Sequence, residues 1–176
     1  KTFLSKRLNH LDTSYDYKNS FKKIQSFNFR NWQVTTKLNP ARLDFSSEKN
    51  LYLSIEKQTH KIKKMLSVKI IKNLLIRNSN IFLTKKGRLL FNALKKAKKN
   101  KLIKNFGYSI YDYNSLKKII TNYRPDLIQC PYNIIDRRIE DPKIINFLKK
   151  RRIKIQVRSI FLQGILLRTK NKLPKF

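Results

Sequence analysis

The sequence predicts a single α/β domain built on a parallel sheet, and three observations lead to this prediction. Apolar or β-branched runs alternate with helical patterns, with one such unit about every thirty residues. The 176 residues are enough for a sizeable core, and 40% hydrophobic residues argue against disorder despite a net charge of +32. No low-complexity linker divides the chain, so we expect one domain over residues 1–176.

Six runs have the composition of strands: Asn9 to Thr13, Trp32 to Leu38, Asn73 to Ile76, Ile103 to Ile110, Leu127 to Cys130 and Ile153 to Val157. Five segments between them have helical periodicity: Ser20 to Phe27, Glu48 to Leu66, Lys85 to Asn100, Asn114 to Tyr123 and Pro142 to Lys150. Strands that alternate with helices in this way are typical of βαβ units, in which all strands run parallel.

Local signals support several of these boundaries. Asp141 followed by Pro142 is typical of a helix start, with an N-cap carboxylate and proline at the first helical position. Pro125 precedes the fifth strand pattern. Gly107 lies inside the fourth, where the missing side chain permits close approach of a ligand or of a neighbouring backbone.

The chain carries 42 Lys and Arg against 10 Asp and Glu. This excess is typical of nucleic-acid-binding proteins, because clustered cations neutralise phosphates and release counterions. However, Lys, Asn and Ile are abundant and Ala is scarce, a composition typical of AT-rich genomes that places lysine on every solvated face. Lys85 to Asn100 has an apolar stripe opposite four lysines, which favours a solvated helix face over a phosphate-binding stripe. We therefore do not expect nucleic acid as a partner.

Cysteine and hydropathy indicate the compartment. The single Cys130 excludes a disulfide framework and fits a reducing compartment. No apolar run approaches the roughly 20 residues of a membrane span, and no signal-peptide pattern is present. We expect a cytoplasmic protein. Its first residue is Lys rather than Met, which suggests that the natural N-terminus lies upstream.

Polar residues follow the strand patterns in a regular way. In parallel α/β folds the ligand site is assembled from the carboxyl ends of successive strands. Any single polar residue there is more often a solvated strand end, but the repeated placement indicates one shared site. The residues are Asp12, Lys37, Arg77, Ser109, Gln129 and Ser159.

Six segments carry a resemblance to a known family: LDTSYDYKNS, WQVTTKL, LLIRNSN, LIKNFGYSIYD, PDLIQCPYNIIDRR and KIQVRSIFLQGILL. In order and spacing, from about residue 5 to 167, they resemble the aldo/keto reductase superfamily. The resemblance implies a (β/α)8 TIM barrel that reduces a small carbonyl substrate with NADPH. A complete barrel needs about 250 residues and eight strands. We therefore expect an incomplete barrel of about six strands, most simply explained as a fragment.

The resemblance also implies roles for individual residues. By position, Asp12, Tyr17 and Lys37 match three members of the catalytic tetrad, with Tyr17 as proton donor. Ser109 and Gln129 match the positions that hold the nicotinamide carboxamide, although Ile110 replaces the Asn found next to Ser109 in many relatives. The loop along the cofactor pyrophosphate is matched by Arg158, Ser159, Gln163 and Gly164. No metal site is implied.

The chemistry of the trio can be stated without the family. A tyrosine phenol, with an ordinary pKa of about 10, is a poor acid near neutrality unless a nearby cation stabilises the phenolate. Lys37 would supply that cation, and Asp12 would keep Lys37 protonated and fixed in place. The simpler alternative is a structural Asp-Lys ion pair with a core tyrosine nearby.

Arg77 departs from the family pattern, because it occupies the position where the family usually has the fourth tetrad residue, a histidine. Arginine is bulkier and always charged. Three interpretations are open: a preference for anionic carbonyls, an alternative oxyanion donor, or a site without turnover. We favour an altered but active site. The rival function is a basic module that keeps the barrel without the chemistry and binds a polyanion such as nucleic acid. The sequence indicates nothing about oligomeric state.

Overall fold

The computed structural model describes residues 9–17, 23–24, 27 and 29–169, and shows six parallel strands that form a curled half-barrel. Each strand pairs with the next along the chain, in the order β1-β2-β3-β4-β5-β6. The strands are β1 His10–Asp12, β2 Gln33–Leu38, β3 Ile71–Ile76, β4 Ile103–Ser109, β5 Leu127–Pro131 and β6 Lys154–Arg158. All six predicted strands are therefore confirmed, with ends shifted by one or two residues.

Four helices pack outside the sheet in the described part of the chain: α1 Glu48–Met65, α2 Lys86–Lys99, α3 Leu116–Asn122 and α4 Pro142–Lys150. Each corresponds to a predicted helix. The predicted helix Ser20 to Phe27 lies mostly outside the described residues. The N-cap of α4 is confirmed, because the Asp141 carboxylate accepts a 2.8 Å hydrogen bond from the Lys143 backbone N–H.

The main core lies between the outer face of the sheet and the helices. Alternate strand residues point outward, so Phe106 and Tyr108 of β4 pack in it with Leu90 and Leu94 of α2. Gly107, between the two aromatic residues, makes the predicted close approach. A Cβ there would clash with the carbonyl oxygen of Leu127 on β5.

The inner face of the half-barrel carries a polar layer that sequence reasoning did not foresee. Asn105 Nδ2 donates to Asn73 Oδ1 over 3.0 Å, and Asn73 Nδ2 donates to Thr35 Oγ1 over 2.9 Å, which links β4, β3 and β2. Thr35 Oγ1 also lies 3.4 Å from Gln156 Oε1 of β6. Because β2 and β6 are four strands apart in the sheet, this last contact shows how strongly the sheet curls.

The described residues contain neither a helix that could span a membrane nor a cluster of metal-ligating side chains. Among the described residues, every helix is too short or too polar to cross a membrane. The same residues contain no group of three or more His, Cys, Asp or Glu placed to hold a metal ion.

Candidate active site

A charged network lies at the carboxyl ends of β1, β2 and β5. Lys37 Nζ donates to Asp12 Oδ1 over 2.9 Å, and Gln129 Nε2 donates to Asp12 Oδ2 over 2.7 Å. The Lys37 side chain is only 7% exposed and that of Asp12 is 33% exposed. The in-register pair Asp12 and Thr35 sets these strand ends side by side. The curl of the sheet brings Asp12 to Gln129, which lies 117 positions away on a strand that does not pair with β1.

Tyr17 lies on the turn that follows β1, where the backbone N–H of Tyr17 donates to the Ser14 carbonyl over 2.9 Å. Its side chain is half exposed. Among the described residues, no hydrogen bond or ion pair engages the Tyr17 side chain. Tyr17 therefore lies five residues beyond Asp12 on the same edge of the sheet, with a half-exposed side chain.

Arg77, directly after β3, binds a residue that the sequence did not single out. Arg77 Nη1 lies 2.7 Å from Asp16 Oδ2, and Arg42 Nη2 lies 2.9 Å from Asp16 Oδ1. The Asp16 side chain is 12% exposed, whereas both arginine side chains are more than 40% exposed. An acidic residue next to the candidate proton donor, in a chain with few carboxylates, was the available signal for Asp16.

Ser109 and Gln129, the two residues of the predicted carboxamide site, lie opposite each other in the β4–β5 register. Ser109 Oγ and Gln129 Oε1 are both buried, and neither has a hydrogen-bond partner within the described residues. Buried polar atoms are normally paired, so two unpaired atoms on adjacent strands are what a polar ligand would satisfy. Ile110, where many relatives have Asn, is fully buried in the core.

The end of β6 presents a second unsatisfied group. Arg158 Nη1 donates to Ser159 Oγ over 3.3 Å, and the guanidinium carbon lies 4.5 Å from the centre of the Tyr111 ring. Nε and Nη2 of Arg158 are buried and find no partner in the described part of the chain. Arginine N–H groups in this state suit an anionic ligand.

The segment after β6 has an unusual backbone. Four of its residues have positive φ: Ser159 at 60°, Leu162 at 47°, Gln163 at 57° and Gly164 at 90°. Positive φ is costly for residues other than glycine and concentrates at ligand-binding segments. Gln163 is exposed and Gly164 is half-buried, so the predicted pyrophosphate loop has no side chain packed over it at these two positions.

Cys130 has no sign of a catalytic role. It is fully buried, and this burial raises the pKa of its thiol above the usual range. A raised pKa keeps the thiol protonated at neutral pH, whereas a nucleophilic cysteine needs the thiolate. In this structure Cys130 is a small buried side chain of the core.

A cavity of about 990 Å³ lies in the opening of the curled sheet, and its lining reaches Asp12 at the end of β1. Its lining comes from the two edge strands and from residues near strand starts, such as His10, Asn105, Asp126 and Lys154. This cavity is the opening between the edges of the curled sheet. The orphaned polar atoms and the Asp12 network lie at the carboxyl ends, where parallel barrels hold their ligands.

The aldo/keto reductase family profile matches residues 1–176, the full length of the chain. The chain therefore belongs to the aldo/keto reductase family, and its fold is an incomplete (β/α)8 barrel of that type. No curated protein sequence matches it significantly.

Solved structures share this fold at low sequence identity. The holo form of aldo-keto reductase AKR11C1 from Bacillus halodurans superposes with a TM-score of 0.72 at 20% identity, over 98% of this chain and 57% of that protein. The glycerol dehydrogenase AKR11B4 from Gluconobacter oxydans gives 0.70 at 21% identity, over 98% and 55%. The chain thus spans little more than half the length of these relatives.

Proposed function

We propose that the protein reduces a small carbonyl compound, an aldehyde or ketone, to an alcohol with NADPH, and that Tyr17 donates the proton. The observation that carries the proposal is the Asp12–Lys37 pair, which lies beside the turn of Tyr17 at the carboxyl edge of an aldo/keto reductase barrel. Family membership supports carbonyl reduction in general. The assignment to these residues is ours.

The network gives each residue a distinct task. Asp12 accepts hydrogen bonds from Lys37 and Gln129 through its two oxygens, so its carboxylate is fixed and holds the Lys37 side chain in place. The buried ammonium group of Lys37 then stabilises negative charge on the Tyr17 oxygen while the phenol proton passes to the substrate oxygen. The half-exposed position of Tyr17 leaves its hydroxyl open to the substrate.

The residues present fit a nicotinamide cofactor. The Ser109 hydroxyl can donate to a carboxamide oxygen, and Gln129 Oε1 can accept from a carboxamide N–H, which pairs both orphaned atoms. When bound, the cofactor would supply hydride to the carbonyl carbon. Arg158 and the positive-φ segment from Ser159 to Gly164 would hold its phosphates. The choice of NADPH over NADH follows from the family resemblance alone.

The high positive charge does not favour the rival function. Exposed lysines lie on all four helices, for example Lys57 on α1, Lys95 on α2, Lys118 on α3 and Lys150 on α4. A polyanion-binding surface calls for basic residues clustered on one face. Charge spread around the outside fits solvated helix faces.

The proposal is tested first by cofactor binding in the full-length protein, followed through quenching of protein fluorescence on titration with NADPH. We expect saturable micromolar binding that survives raised salt. Salt-sensitive association that polyanions displace would contradict the proposal.

The second test is the variant Tyr17→Phe, assayed against a panel of small aldehydes and ketones. We expect turnover to fall by a factor on the order of 10³, because general-acid catalysis contributes about 10²–10⁴. NADPH affinity should stay within about twofold, since Tyr17 is not among the residues assigned to cofactor binding. Unchanged turnover would remove Tyr17 from the mechanism.

A further inference from the structure

Asp16 links the segments that follow three strands, β1, β2 and β3. It lies on the turn after β1, directly before Tyr17, and its two carboxylate oxygens bind Arg42 and Arg77 at 2.9 and 2.7 Å. The backbone N–H of Asp16 also donates to Ser14 Oγ over 3.4 Å. With a side chain only 12% exposed, Asp16 is the most enclosed carboxylate among the described ion pairs.

Both arginines are themselves held by the scaffold. Arg42 ends the 3-10 turn Pro40–Arg42 after β2, and its carbonyl accepts a 2.8 Å hydrogen bond from Gln58 Nε2 of α1. The backbone N–H of Arg77 donates to the Leu38 carbonyl over 2.9 Å. Asp16 is therefore tied to two fixed points, on the segments that follow β2 and β3, which limits where the next residue can lie.

We propose that Asp16, Arg42 and Arg77 form a positioning clamp that holds the turn carrying Tyr17. In this proposal, which rests on the proposed function, Arg77 acts through Asp16 and is not the donor to the substrate oxygen. A proton donor on a half-exposed turn needs such support, because a displacement of about 1 Å can reduce rate on the order of 100-fold. A purely structural ion pair at this exposure would change stability slightly and leave turnover alone.

The decisive variant is Arg77→His, which installs the residue that the family resemblance implies at this position. If Arg77 positions Tyr17, histidine breaks the ion pair with Asp16, and kcat should fall about 10- to 100-fold. KM and the NADPH dissociation constant should change less than about twofold. A kcat equal to or above that of the unmodified protein would overturn the clamp.

A double-mutant cycle tests whether the two partners act as one unit. Asp16→Asn and Arg77→Gln should each lower kcat, and the double variant should be about as slow as the slower single variant. If the double variant instead lost the product of the two single decreases in kcat, the two residues would act independently and the proposal would be overturned. Lys98→Gln is the matched control, because it breaks the similarly exposed Lys98–Asp126 pair at the opposite end of the strands and should leave kcat unchanged.

A readout that does not need activity separates this proposal from the proposed function. The full-length protein is labelled with 3-fluorotyrosine, and the fluorine resonance of Tyr17 is assigned by its loss in Tyr17→Phe. Asp16→Asn should shift that resonance, and Lys98→Gln should not. If the protein reduces no carbonyl, the proposed function fails while a shifted resonance still supports the clamp. An unmoved Tyr17 resonance in Asp16→Asn overturns the clamp whatever the activity.

Discussion

At the carboxyl edge of the sheet, the side chains on the inner face satisfy their polar groups differently in its two halves. At the ends of β1 to β3, the charged side chains pair with one another, as in Asp12 with Lys37 and Asp16 with Arg77. At the ends of β4 to β6, buried polar atoms of Ser109, Gln129 and Arg158 have no partner among the described residues.

The two halves differ in whether they need a ligand to pair their polar groups. A buried polar group without a partner costs about 1–3 kcal/mol. The unpaired atoms of the second half therefore lower the free energy of unfolding unless a ligand pairs with them. The first half needs no ligand to fix its geometry, because its own charges do so. We infer that the first half is organised for proton transfer and the second for binding, with Gln129 touching both through Asp12.

Removal of the cation tests the paired half and has the largest expected effect. Lys37→Met keeps much of the side-chain volume but takes away the charge beside Asp12. We expect kcat to fall by a factor on the order of 10³, because the Tyr17 phenolate loses its stabilising charge, while NADPH affinity changes less than about threefold. Steady-state kinetics and fluorescence titration measure both quantities. A kcat within tenfold of the unmodified protein would make the pair structural.

Much of this arrangement was predictable from sequence, for a physical reason. Parallel strands buried by helices are nearly continuous apolar runs, and their carboxyl ends meet at one edge, so Asp12 and Lys37 were expected together before any distance was known. The observed 2.9 Å contact agrees with that expectation. The close approach at Gly107 was also predictable, because only glycine lacks the Cβ that would clash there.

The sequence could not predict which of several possible partners a long side chain binds. Arg77 follows its strand like the other site residues, but its long side chain reaches Asp16, a partner 61 positions away on another loop. The polar layer of Thr35, Asn73 and Asn105 was missed for a similar reason. Within single strands these residues resemble solvated positions, and only the curl of the sheet turns them toward one another.

The unpaired half is tested first at Arg158, whose buried Nε and Nη2 suit an anion. Arg158→Met should weaken NADPH binding about 10- to 30-fold, in line with the loss of charge-assisted hydrogen bonds. The salt dependence of binding should decrease as well. Lys154→Met is the matched control, since Lys154 belongs to the same strand but lies exposed at its other end. Equal weakening by both variants would mean that general charge, and not the site, attracts the cofactor.

Ser109→Ala should change binding and stability in opposite directions. Without its hydroxyl, the chain loses one carboxamide contact, and NADPH affinity should fall about fivefold to tenfold. The free protein should gain about 1 kcal/mol in its free energy of unfolding, because an unpaired buried hydroxyl has been removed. Urea unfolding with and without NADPH measures both effects. A loss of stability in the free protein would show that Ser109 is already paired.

Tyr108 is the neighbour of Ser109 on β4 and gives the smallest expected effect. Its hydroxyl donates to the Tyr123 carbonyl over 2.8 Å on the opposite, core-facing side of the strand. Tyr108→Phe should therefore lower the free energy of unfolding near pH 7 by about 1 kcal/mol, the reverse of Ser109→Ala. Urea unfolding of the free protein measures it. If both variants changed the free energy of unfolding in the same direction, the distinction between paired and unpaired hydroxyls would be contradicted.

The pH dependence of the Tyr108→Phe effect sharpens the test. Burial, and secondarily the charge of Asp126, raises the pKa of Tyr108 far above its ordinary value of about 10. The unfolded chain releases this proton as pH rises through about 10 and the folded chain does not, so the contribution of Tyr108 to stability is complete below that pH and declines above it. The deficit of Tyr108→Phe relative to the unmodified protein should shrink above about pH 10, by up to about 1.4 kcal/mol per pH unit. A deficit that stays constant from pH 7 to 11 would mean that the Tyr108 phenol ionises in the folded protein.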